Sequence, residues 1–69
     1  MNKRLIISIN TETTKLLNKL SDYCNTYHII LRVEILNDMY VIEVSSRVED
    51  KFIEHVMNNL KEADTNGRH

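Results

Sequence analysis

The sequence predicts an α+β fold: a two-layer sandwich of order β-α-β-β-α, with a three-stranded antiparallel sheet in order 1-3-2 and both helices on one face. Three observations predict it. Three segments alternate apolar and polar side chains with period two, and two others place apolar side chains three and four residues apart. A right-handed crossover from the first strand to the second leaves a gap between them that the third strand fills.

Leu5, Ile7 and Ile9 alternate with Arg4, Ile6 and Ser8, the pattern of a first strand with one buried face. Asn10 or Thr11 can cap a helix, Glu12 suits its positive end, and Leu16, Leu17, Leu20, Tyr23, Cys24 and Tyr27 then form one apolar stripe, so the first helix is expected over 12–27. Ile29, Leu31, Val33 and Ile35 predict the second strand, Asn37-Asp38 a turn, and Tyr40, Ile42 and Val44 the third strand of a hairpin. Ser46-Arg47-Val48-Glu49 has the form of a capping box, which would launch a second helix with the stripe Phe52, Ile53, Val56, Met57 and Leu60. Residues 1–63 are thus expected to form a single domain, and 64–69, Asp64-Thr65-Asn66-Gly67-Arg68-His69, a flexible polar tail.

Composition narrows the function. With 42% hydrophobic and 28% charged residues the chain has the balance of a folded globular domain. Its longest uncharged apolar runs, Leu5-Ile6-Ile7 and His28-Ile29-Ile30-Leu31, fall far short of the roughly 20 residues that a membrane span needs. The amino-terminal run is short and has no small-residue cleavage site, so a cytoplasmic location is expected, in a bacterium or a host cell. A lone cysteine, Cys24, rules out an internal disulfide and a multi-cysteine zinc finger. The net charge of −1 lacks the excess that draws a protein to nucleic acid or anionic lipid. Eight Ile, eight Asn and five Lys against one Gly, one Ala and no Pro fit an A/T-rich genome, as of a low-GC bacterium, its phage or a mobile element.

Residue types that could carry chemistry read as structural. Cys24 lies on the apolar stripe of the first helix with no neighbouring cation in sequence to activate it, so an inert buried thiol is expected. His28 sits at a helix-to-strand junction and His55 on the outward arc of the second helix. The three histidines show no metal-ligand spacing, and Glu54-His55 lacks the second histidine of a zincin helix. No metal, cofactor or catalytic residue is expected. The junction Ile9-Asn10-Thr11-Glu12-Thr13 has no glycines to cradle a phosphate.

The candidate surface lies on the side of the sheet away from the helices. Alternation puts there Ile6 and Ser8, then Ile30, Arg32, Glu34 and Leu36, then Met39, Val41 and Glu43. Ile6, Val41 and Ile30 are expected to form a patch crossing the sheet, a dimer or target interface with Arg32, Glu34 and Glu43 as polar contacts. Scattered surface hydrophobes are the bland alternative. The free edge of the first strand, with Lys3, Leu5 and Ile7, is a second candidate, through addition of a strand from another chain. Lys3 and Arg4 could instead repel such a strand. The open face offers no aromatic side chains for base stacking, and a basic contact through Lys3, Arg4 and Arg32 is opposed by Glu34 and Glu43.

The pattern from Arg4 to Leu60, carried by Leu5-Ile6-Ile7-Ser8-Ile9, Leu16-Leu17-Asn18-Lys19-Leu20 and the hairpin Ile29 to Val44, resembles the ferredoxin-like regulatory domains called ACT. It departs from them in having no glycine across Asn10 to Thr14 and no fourth strand. The resemblance implies a dimeric ligand-sensing regulatory subunit. From the residues themselves the leading expectation is a non-catalytic protein that binds a larger macromolecule, with a protein as partner, and inhibits or modulates it. Its concrete form would be a phage or mobile-element inhibitor of a host defence system, of the anti-CRISPR kind. Self-association as a homodimer is also expected, because so small a core is marginal alone. A small nucleic-acid-binding protein is the third reading, and a membrane partner is not expected.

Overall fold

The computed structural model of the chain describes residues 1–67. It has five elements: β1 (Asn2–Ser8), α1 (Thr11–Thr26), β2 (Ile30–Leu36), β3 (Met39–Ser45) and α2 (Lys51–Gly67). β3 is the central strand, antiparallel to both neighbours, and the sheet order is β1-β3-β2. This is the expected two-layer sandwich, with a plan compatible with the ferredoxin-like fold.

Each junction has a local cause. Asn10 caps α1: its side-chain oxygen accepts the Thr13 N–H at 2.8 Å, and the Thr13 hydroxyl oxygen accepts the Asn10 N–H at 2.9 Å. Thr13 is fully buried, and its hydroxyl donates to the Ser8 carbonyl at 2.8 Å, so no polar atom is stranded. At the other end the Ile29 N–H bonds the Cys24 carbonyl at 2.8 Å across a left-handed His28 with φ 57°, a Schellman ending with histidine in the place usually given to glycine. Asn37 and Asp38 both have positive φ, 52° and 62°, which makes the hairpin turn type I′ and matches the strand twist.

α2 begins later than the Ser46–Glu49 box suggests. The Ser46 hydroxyl donates to the Val48 carbonyl, and Asp50 is the cap, its Oδ1 accepting the N–H groups of Phe52 at 2.9 Å and Ile53 at 3.2 Å. A full carboxylate satisfies two orphan amides and faces the positive end of the helix, which a serine does less well. The helix also runs past Leu60. Ala63 continues the buried stripe, and Asp64 Oδ1 accepts the Ser8 N–H at 2.7 Å, so helical structure extends through Gly67 where a tail was expected. Arg68 and His69 of that tail lie outside the described residues.

The core comprises Ile7, Leu17, Leu20, Cys24, Ile42, Val44, Ile53, Val56, Met57 and Leu60. Two expectations about burial fail. Val33 and Ile35, read as helix-facing, are 39% and 63% exposed. α1 must travel from the end of β1 to the start of β2 on the opposite edge, so it crosses the sheet diagonally. It starts near the hairpin end, where Thr14 Oγ1 and the Tyr40 hydroxyl lie 2.8 Å apart, and finishes beside Ile29. The corner of β2 nearest the hairpin is therefore bare on both faces. Conversely Val41, on the open face, is only 7% exposed. It sits mid-strand in the centre of the sheet, flanked in its row by the larger side chains of Ile6 and Glu34.

Candidate functional site: the open sheet face and its β2 edge

Strand register sorts the open face into rows. Asn2, Ser45 and Ile30 form one, Arg4, Glu43 and Arg32 the next, then Ile6, Val41 and Glu34, and finally Ser8, Met39 and Leu36 beside the hairpin. The expected patch of Ile6, Val41 and Ile30 is thereby corrected. Ile30 stands opposite Ser45, cut off from Val41 by the charged row, and the contiguous apolar group is Ile6, Val41, Met39 and Leu36. Assigning faces from alternation could not find this, because a row depends on register as well as on parity.

The charged row is loosely paired. Arg4 Nε lies 4.0 Å from Glu43 Oε1, and an Arg32 guanidinium nitrogen lies 3.5 Å from Glu34 Oε1, all four side chains being well exposed. Such pairs contribute at most about 1 kcal/mol each in water, so their charges stay available to another molecule. A shallow cavity of about 320 Å³ opens between Arg4, Arg32, Glu43 and Ile30.

The two sheet edges differ. Met1 exchanges backbone bonds with Ser46, so by alternation Lys3, Leu5 and Ile7 direct their backbone groups to β3. Those three residues were expected to present the free edge of β1. The side chains of Leu5 and Ile7 lie on the helix side as alternation expects, Ile7 in the core, but the outward backbone groups belong to Asn2, Arg4, Ile6 and Ser8. At Ser8 both are engaged, the N–H by Asp64 and the carbonyl by Thr13. Among the described residues, none covers β2 in this way. The turn closes with Leu36 facing Met39, so Leu36, Glu34, Arg32 and Ile30 bond to β3, while Leu31, Val33 and Ile35 turn their N–H and C=O groups outward. Ile30 and Leu36 are 65% and 55% exposed on the open face, complementing bare Val33 and Ile35 on the other.

Elsewhere, titratable groups serve the scaffold. Burial pushes the Cys24 thiol up, away from the reactive thiolate. The Tyr23 hydroxyl donates to Asp50 Oδ2 at 2.7 Å. That bond, then partial burial, pushes the tyrosine up to about 12 and holds the Asp50 carboxyl below its ordinary value. Tyr23 stacks on Phe52, centroids 4.2 Å apart, and Tyr27 tilts against it at 4.7 Å, clamping α1 to the start of α2. Among the described residues, no three His, Cys, Asp or Glu side chains gather as a metal site, and no helix is long and apolar enough to cross a membrane.

Comparison of the chain with protein-family models, with curated proteins and with solved structures finds no match to any of them.

Proposed function

We propose that this protein is a non-catalytic interaction module that binds a larger protein and inhibits or modulates it by occupying a surface. One observation carries the reading: the open face sets a contiguous apolar group, Ile6, Val41, Met39 and Leu36, directly beside a row of weakly paired charges, Arg4, Glu43 and Arg32. An apolar anchor bounded by charges that select the partner is the anatomy of a protein-binding patch. The concrete form given above, an inhibitor of a host defence system carried by a phage or mobile element, belongs to this proposal.

An ACT-type ligand sensor would take its small molecule at the β1–α1 turn. Here the polar groups of that turn bond one another, Asn10 with Thr13 and Thr13 with Ser8, which favours the interaction reading.

The test is affinity capture with the wild-type chain and with Ile6→Asp and Leu36→Asp. Both positions are exposed, so the variants keep the wild-type circular dichroism, whereas an aspartate at crowded Val41 would unfold the sheet. A protein held by wild type and held at least about tenfold more weakly by both variants is the expected result, a loss of about 1.4 kcal/mol or more. Equal retention by all three overturns the open-face reading.

A further inference from the structure

The sequence of β2, Ile30-Leu31-Arg32-Val33-Glu34-Ile35-Leu36, has the same chemistry read in either direction. Turned antiparallel on itself about Val33, it sets Ile30 against Leu36, Leu31 against Ile35, Arg32 against Glu34 and Val33 against Val33. We infer that the β2 edge is a self-pairing surface, and that two copies of this chain join there across a two-fold axis at Val33 into one continuous sheet of six strands, three from each copy.

Backbone, charge and burial agree independently on this arrangement. The residues that pair across such an axis through backbone bonds must be those whose N–H and C=O groups point away from β3, and these are Leu31, Val33 and Ile35. Val33 then exchanges bonds with its own copy, and Leu31 with Ile35 on either side, about six inter-chain bonds in all. Charge sets the register. Centred on Val33, Arg32 of each copy faces Glu34 of the other twice over. Centred one residue away in either direction, the axis brings Arg32 onto Arg32 or Glu34 onto Glu34, and like charges directly opposite are destabilising. Burial completes the case. Ile30, Val33, Ile35 and Leu36 account for half of the large apolar side chains that stand exposed among the described residues. In the pair Ile30 meets Leu36 on the open face, while Val33 and Ile35 meet their counterparts on the helix side, in the corner that α1 leaves bare. Facing pairs share a face, so all helices stay on one side and the two open faces merge into a single platform.

The seam shares Arg32 and Leu36 with the proposed target contact, and its own readout is mass. Light scattering or sedimentation of wild type is expected to give twice the 8.2 kDa monomer at high micromolar concentration. Arg32→Glu puts carboxylates opposite one another, and Glu34→Arg does the same with guanidinium groups, so each variant alone dissociates about tenfold or more readily than wild type. An equimolar mixture of the two variants restores opposite charges at every crossing and returns to the dimer mass. Val33→Lys, which places two ammonium groups at the axis without touching either charged residue, is monomeric with wild-type circular dichroism. A wild-type monomer at about 1 mM, a dimer indifferent to all three substitutions, or variants that fail to recover on mixing overturns the inference. Val33→Lys, on the helix side and outside the target face, is expected to lose the dimer with target capture intact, and Ile6→Asp, on β1 and away from the seam, to lose capture with the dimer intact, which tells the two surfaces apart.

Discussion

His28 holds a left-handed backbone conformation, φ 57°, that residues other than glycine, asparagine and aspartate seldom adopt, because the ending of α1 demands it. His28→Gly removes the steric cost, and although glycine loses more entropy on folding, the net expectation is a gain of about 0.5–1 kcal/mol, read from the urea midpoint. Single-residue chemistry was largely legible from sequence. Cys24 falls on the apolar stripe of its helix and is buried there, and Asn10, one of two candidate caps, does the capping. Thr13 was missed: a β-branched hydroxyl one turn into a helix reads as surface, and only the fold reveals that its hydroxyl bonds three backbone groups beneath the chain.

At the scale of elements, α2 depends on a carboxylate that also receives a hydroxyl from α1. Asp50→Ala removes the cap and is expected to cost about 1 kcal/mol in chemical denaturation. The pairing also makes stability pH-dependent at both extremes. Asp50 titrates below its unfolded value of about 3.9, so its contribution is complete above that pH and is lost as pH falls through it towards the lower folded value. Tyr23 titrates above its unfolded value of about 10, so its contribution is complete below that pH and is lost as pH rises to about 12. Tyr23→Phe flattens both limbs in a urea-midpoint profile against pH, and removes the late-ionising component from the tyrosinate absorbance titration. Strand and helix periods made all five elements legible, with α1 displaced by one residue at each end from its expected 12–27. The start of α2 was not, since Ser46-Arg47-Val48-Glu49 and Asp50 both satisfy capping chemistry and only the path of the chain past Tyr23 decides between them. Nor was the exposure of β2: alternation says which face a side chain occupies and cannot say whether a helix lies over it.

For the molecule as a whole, the sandwich followed from local pattern plus crossover handedness, while the candidate surface followed only in part. Parity gave the membership of the open face, and register then moved Ile30 away from Val41 and made Leu36 and Met39 its apolar neighbours. The self-complementary order of β2 and its place at an end of the predicted order 1-3-2 were both in plain view, but they acquire meaning only once register shows that Leu31, Val33 and Ile35 turn their backbone groups outward. If pairing there adds to stability, the melting temperature must rise with protein concentration, by mass action, and Val33→Lys must abolish the rise while wild type keeps it; a wild-type melt independent of concentration contradicts this. The asymmetry between the two rims has a last consequence. Asp64 and Thr13 stopper β1 at Ser8, and Lys3 and Arg4 place cations near its other end, so this rim is a poor template for another strand. In the proposed pairing each copy would use its one good docking side in a closed two-fold union, so assembly would terminate at two rather than propagate as a fibril.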